Sequence, residues 1–265
     1  MQKNFFMLFI TFFAKNFHHI YKKNIFAKPY CLHPNTKIIM KQIIIFVTLL
    51  CLGFQTETTA QTKKRISILG DSYSTFEGYI PVENEPWYFQ KVDTGRSDVV
   101  SVRLTWWWQL IKEGGYLLEK NESYSGATIC YTGYNDEDYS PRSFITRLPR
   151  VGSPDILLIF GCTNDSWAGA KVGNYQYSDL KRGDLYTYRP ALAKLLDEAL
   201  SRYPNVDIYF IINSELRPDI VESTLTICKH YSIPCIQLQN IEKRYGHPTA
   251  KGMKAIAEQV GKAIR

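Results

Sequence analysis

The chain has 265 residues, 45% hydrophobic, 14% aromatic and 22% charged, which excludes a disordered chain and a small disulfide-stapled one. Its formal net charge of +7 sits mainly at one end: seven lysines against the single acid Glu57 in residues 1–60 account for six of those charges. The remaining 205 residues are close to neutral, so no basic groove and no nucleic-acid partner is indicated.

In chain order, the first apolar stretch is Phe5–Ala14, shorter than the ~20 residues a membrane-spanning helix needs. The second starts at Met40-Lys41-Gln42, runs through Ile43–Phe54 and ends on Thr58-Thr59-Ala60. A cationic start, an apolar middle and a small-residue exit form the layout of a secretory signal. The expectation is therefore a signal peptide at 40–60, cleaved after Ala60, with 1–39 an upstream over-extension of the reading frame. Residues 61–265 are then one domain, exported to the periplasm or the extracellular space and not stably inserted in a membrane.

Within that domain, short apolar runs alternate with segments of helical period. Arg65–Leu69, Asp155–Phe160, Val206–Ile212 and Ile233–Leu238 read as strands, and Tyr116–Glu119 as a weaker one. Pro234 suggests a strand start or an edge position. Apolar residues keep one face over 191–203, with Pro190 suited to the first turn, and again from Met253 to Ile264 behind Pro248-Thr249. Strands apolar throughout, alternating with helices, indicate an α/β domain with a parallel sheet of about five strands covered on both faces. Such sheets bind ligands beyond the carboxyl ends of their strands.

The residues after each strand therefore carry the most information. Gly70-Asp71-Ser72 follows the first, a turn that can present a serine hydroxyl next to the free N–H groups of a helical turn. Gly161-Cys162-Thr163-Asn164-Asp165 follows the third apolar run, and an Asn amide there can donate to a developing oxyanion. Gly126 lies in the loop after the weak strand and can offer a backbone N–H. A serine nucleophile needs a base, most often histidine. Past Ala60 only His230 and His247 remain. His230 falls at an expected helix end, where a cationic cap is its ordinary role. His247 precedes Pro248 in a loop before the last helix.

Nothing marks a cofactor or metal: the chain has no P-loop, no dinucleotide-binding glycine motif, no zinc-protease motif and no CxxC pair among Cys130, Cys162, Cys228 and Cys235. No disulfide can be assigned from spacing, and buried thiols are the ordinary reading. Trp106-Trp107-Trp108 lies in a helical pattern and cannot all face one way, so core packing with a loop as cover is expected. The aromatic loops Ser74–Trp87 and Tyr131–Tyr139, together with Trp167, are the better candidates for a pocket wall.

Gly70-Asp71-Ser72, Gly126, Asn164-Asp165 and His247-Pro248, in that order, resemble the four blocks of the SGNH (GDSL-type) hydrolase family. The resemblance spans 66–265. It implies a flavodoxin-like three-layer α/β/α fold and ester hydrolysis through an acyl-serine. Ser72 would be the nucleophile and His247 the base. The Ser72 and Gly126 N–H groups and the Asn164 amide would form the oxyanion hole. Two positions depart from the pattern. Arg244 stands where an orienting Asp is usual, so the orienter is missing, a backbone carbonyl, or Glu242 from a different geometry. Cys162 replaces a glycine, which leaves open the backbone shape beside the oxyanion hole. The expected substrate is a small-molecule or glycan ester, with acetyl or another short acyl group. Two alternatives are an acyltransferase of the same fold and a non-catalytic carbohydrate-binding relative.

Overall fold

In the computed structural model, residues 62–91 and 95–264 are described. The expectations for residues 1–60 lie outside them. Five parallel strands form the central sheet: β1 (Arg65–Gly70), β2 (Leu117–Ser123), β3 (Ile156–Gly161), β4 (Asp207–Ile212) and β5 (Cys235–Gln237). Their order is β2-β1-β3-β4-β5. The chain leaves β1 toward one side of the sheet and returns to its other side at β3. The topological switch point, where this class of sheet opens a crevice, therefore lies between β1 and β3.

Side-chain alternation divides the core in two. Ile66 and Ile68 of β1, Ile156, Leu158 and Phe160 of β3 and Ile211 of β4 face one layer. They pack there with α1 (Trp106–Gly114) and α6 (Ala250–Ala263). Leu69, Leu157, Ile159, Phe210 and Ile212 face the other, against α4 (Tyr188–Arg202) and α5 (Pro218–His230). The short helix α2 (Phe144–Arg147) belongs to that second side, and another, α3 (Thr163–Trp167), directly follows β3. This is the three-layer α/β/α arrangement expected from the sequence. Full burial of Leu192, Leu195 and Leu196 on α4 shows why that stripe holds the layer: each contributes ~1.5–3 kcal/mol.

One local expectation needs adjusting, while the helix-end position of His230 and the loop-covered packing of the tryptophans are as expected. The weak strand is β2, and it extends past Glu119 to Ser123, because its buried half is the polar Asn121, Glu122 and Ser123. These are held by partners no hydrophobic pattern shows: Asn121 Nδ2 donates to Ser74 O at 2.9 Å, and Asn84 Nδ2 to Glu122 Oε1 at 3.1 Å. His230 is the last residue of α5, and its ring stacks on Tyr177 at 3.8 Å. Trp106 and Trp107 are fully buried, and Tyr79 of the 75–87 loop covers both Trp107 and Trp108.

Candidate active site

Strand β1 ends in Gly70 because no side chain fits there: a Cβ would lie 2.6 Å from Ser123 Oγ and 2.8 Å from Ser74 Cβ. Asp71 then caps a single 3-10 turn, Ser72–Ser74, by accepting the Tyr73 N–H at 3.0 Å. Ser72 is its first residue, so its own N–H has no partner within the turn. Burial pushes the Asp71 carboxyl up to about 7, against the pull of the Tyr73 N–H and the Arg147 cation.

His247 arrives from the far end of the chain on a small antiparallel hairpin, β6 (Lys243–Arg244) and β7 (His247–Pro248). The two turn residues, Tyr245 and Gly246, have φ of 49° and 77°. Positive φ at both central positions is the geometry of a type I′ turn, whose twist matches its strands. Two phenols pin this hairpin from below: Tyr73 Oη–H donates to Gly246 O, and Tyr88 Oη–H to Pro248 O at 3.0 Å.

Ser72 Oγ lies 2.9 Å from His247 Nε2, across 175 residues of sequence. On the other side of the ring, Nδ1 lies 3.1 Å from the Tyr245 carbonyl oxygen. A carbonyl can only accept, so Nδ1 carries the hydrogen and donates. In the neutral ring Nε2 is then a bare lone pair, and the Ser72 O–H donates to it. Burial pushes the His247 ring down to about 4; the Tyr245 carbonyl pulls it up, and Arg96 and Lys243 lower it further. At neutral pH the ring is thus a free base beside a serine hydroxyl.

Glu242 is engaged elsewhere. Its carboxylate accepts from Thr249 Oγ1 at 2.8 Å and Lys251 Nζ at 3.0 Å, at the entrance to α6. Those partners hold its pKa below the ordinary carboxylate range. Arg244 is an exposed residue paired with His247 in the hairpin.

The oxyanion candidates come together on the β2 and β3 side. Gly126 has φ +77°, a conformation that a Cβ disfavours even though the space around it is open. Asn164 Nδ2 donates to Ala127 O at 3.0 Å, and its Oδ1 accepts from Tyr134 Oη at 2.9 Å. The Tyr124 N–H donates to Gly70 O at 3.1 Å, which sets this loop next to the Ser72 turn. Cys162 has φ 65° at the N-terminus of α3, so the backbone takes the left-handed shape a glycine would adopt freely.

Further residues position this site, and of them buried Arg147 carries no signal in the sequence. Asp165, fully buried, accepts from the Ile129 and Cys130 N–H groups at 2.9 and 3.0 Å and so clamps the Gly126 loop. Burial pushes its carboxyl up to about 6, with the two N–H groups opposing. Arg147 is also fully buried and donates to Gly70 O at 3.1 Å and to Glu122 O, tying the ends of β1 and β2 together. Of the aromatic loops, 74–87 supplies Trp87, stacked on His247 at 3.6 Å, and 131–139 supplies Tyr134. Trp167 meets the His247 ring edge-on at 5.6 Å and is 40% exposed.

Comparison with known proteins agrees with this geometry. A family model described as GDSL-like Lipase/Acylhydrolase matches residues 64–264. A protein described as a GDSL-like lipase from Bacteroides ovatus is 55% identical, with a TM-score of 0.76 over 77% of this chain and 99% of its own. One described in the same way from Bacteroides uniformis is 49% identical, with a TM-score of 0.75 over 77% of this chain and 97% of its own. A carbohydrate esterase, 15% identical with a TM-score of 0.54 over 76% of this chain and 68% of its own, shares the fold alone. No curated protein matches the chain. The chain belongs to the GDSL-like lipase/acylhydrolase family, a hydrolase family of esterase type.

Proposed function

We propose that the protein is an exported serine esterase that removes acetyl or similar short acyl groups from carbohydrate by way of an acyl-serine. The observation that carries this reading is the 2.9 Å contact between Ser72 Oγ and His247 Nε2, with the ring's other nitrogen tied to a carbonyl. As Ser72 Oγ attacks the ester carbonyl, His247 Nε2 takes its proton, and the negative charge on the former carbonyl oxygen is met by the Ser72 N–H, the Gly126 N–H and the Asn164 amide. His247 then returns the proton to the departing alcohol. Water, activated by the same ring, releases the acid and restores Ser72.

Ser72 and Asn164 are each only 2% exposed, which favours a small acyl group over a long chain. The faces of Trp167 and Tyr134 around them suit the apolar faces of a sugar ring. Arg244 in place of an orienting acid is the feature that would favour a non-catalytic binding relative, and an intact Ser–His contact argues against one.

The direct test is hydrolysis of p-nitrophenyl acetate and of acetylated polysaccharides. Ser72→Ala and His247→Ala should each lose several orders of magnitude in kcat, about what loss of a nucleophile or its base costs in enzymes that use the two as a unit. A Ser72→Ala variant with full turnover refutes the reading. Analysis of products with an added sugar acceptor separates water from sugar as acyl acceptor, and so hydrolase from transferase. Sequencing the secreted protein tests export: its first residue should be Gln61.

A further inference from the structure

The His247 ring has two faces, and on one of them Trp87 and Arg96 complete a stack of three planar groups. The Trp87 indole lies parallel to the imidazole, with centroids 3.6 Å apart and 9° between planes. The Arg96 guanidinium carbon lies 3.8 Å from the Trp87 ring centroid. Two groups that close to one indole cannot share a face without overlapping. Arg96 and His247 therefore sandwich Trp87.

The backbone that carries the indole is tied to the nucleophile's turn. Thr75 Oγ1 donates to Ser72 O at 3.0 Å and accepts the Trp87 backbone N–H at 2.8 Å, so one threonine joins the two segments. The imidazole is thus held in its plane by Trp87 and along its edge by Tyr245 O, with no carboxylate involved. A ring held flat against the indole cannot swing Nε2 away from Ser72. The indole face also attracts the imidazolium that forms when the ring takes the serine proton. The cation on the opposite face of the same indole works against that charge.

The surrounding charged groups leave this pair in control. From the 3-10 turn, the Ser72 hydroxyl and the Tyr73 phenol face the ring, and from the 75–91 loop Tyr88 meets it edge-on. Asp71 lies behind Ser72 and is bound to the Tyr73 N–H. Asp98 accepts the Ala250 N–H at 2.9 Å, and Glu242 is held by Thr249 and Lys251. Helix α3 presents only Trp167. The hairpin brings Arg244 and Lys243, and Lys243 is paired with Glu215 at 3.0 Å. Every carboxylate here is engaged with a partner other than His247.

We propose that Trp87 is the positioning residue that takes the place of the absent orienting carboxylate, and that Arg96, acting through it, sets the acid limit at which His247 stops being a base. This rests on the Ser72–His247 esterase reading. It deepens that reading by assigning the control of the base to two residues outside the four motif blocks.

Trp87→Leu should lower kcat for p-nitrophenyl acetate roughly tenfold or more, the scale of a desolvated cation–π contact, while KM moves less than about twofold. Trp87→Phe keeps an aromatic face and should recover most of the loss. Arg96→Gln should move the acid limb of the kcat/KM profile upward by about half a pH unit or more, because a cation that disfavours the imidazolium is gone. Arg96→Lys should leave the limb nearer the parent's. The His247 ring titration, followed by NMR in Ser72→Ala protein, should shift up in the same way when Arg96→Gln is added. That measurement requires no turnover, so it reads the stack even if the esterase reading fails. An unchanged kcat in Trp87→Leu, or an acid limb and ring titration that do not rise in Arg96→Gln, would overturn the proposal. So would a parallel loss of melting temperature and kcat in both variants with the limb unmoved, which is the mark of a purely structural role.

Discussion

The His247 Nδ1–H donates to the carbonyl of Tyr245, two residues earlier, across the turn of its own hairpin. The acceptor exists only because Tyr245 and Gly246 both hold positive φ and fold the chain back on itself. Serine hydrolases that use a carboxylate here gain full charge complementarity for the imidazolium; a carbonyl supplies a dipole and a direction. Orientation is then shared among the Tyr245 carbonyl, the indole face and the two phenols under the hairpin.

Glu242 is the nearest acid before His247 in the sequence, and its carboxylate is committed to Thr249 and Lys251. Glu242→Gln should therefore leave kcat within about twofold of the parent, well short of the ~10²-fold or more lost with an oriented catalytic partner. Steady-state hydrolysis of p-nitrophenyl acetate checks this. A hundredfold loss would show that the carboxylate reaches the ring during turnover.

Gly246 is a sharper lever. A Cβ there would sit 3.1 Å from the Trp167 ring, on a backbone at φ +77°. Gly246→Ala should cost about 1 kcal/mol or more in stability, as a side chain forced into the left-handed region does. It should also lower kcat, because the hairpin that carries His247 must shift. Thermal melting and turnover measured on the same protein report the two effects.

The oxyanion side is tested at Asn164 and at the residue after it. Asn164→Ala should reduce kcat about a hundred- to a thousandfold with a small change in KM, the usual cost of one oxyanion donor. Asp165→Ala acts differently. It strands the buried Ile129 and Cys130 N–H groups, which should cost ~2–4 kcal/mol in stability before any effect on rate. Denaturant unfolding separates them: the first variant unfolds near the parent's midpoint and the second well below it.

Stability should depend on pH through the buried carboxyls. Asp71 and Asp165 are pushed up to about 7 and about 6 from an ordinary 3.8. Between pH 4 and 7 the folded state keeps protons that the unfolded state has released, so stability falls as pH rises through that window. His247, depressed to about 4 from 6.5, has the opposite sign between those values and offsets one of the two carboxyls. The melting temperature should therefore be higher near pH 5 than at pH 8. Asp71→Asn, neutral at every pH, should melt above the parent at pH 8 and by a smaller margin at pH 5. Calorimetry at the two pH values decides it; a variant that melts below the parent at pH 8 would contradict the buried-charge account.

What could be read locally was read from the sequence. The fully apolar strands β1, β3 and β4 and the one-faced helices α4 and α6 declare themselves by periodicity, because burial on two faces or one leaves a direct pattern. Ser72, Gly126 and Asn164 follow the ends of such strands, and the resemblance to the four family blocks sets His247 beside them. Tertiary structure decided what local pattern does not encode. The buried half of β2 is polar and is stabilised by Asn84 and Arg147 from other segments, so hydropathy ends the strand too early. Tyr245 at positive φ makes the carbonyl acceptor, and a tyrosine gives no turn signal of the kind Gly or Asn gives. Trp87 reaches His247, and Arg96 reaches Trp87, from loops with no period at all, and Asp165 shows its purpose only when β3 lies beside the Gly126 loop. Each of these contacts joins segments far apart in sequence, and its existence depends on how the loops close over the carboxyl edge of the sheet.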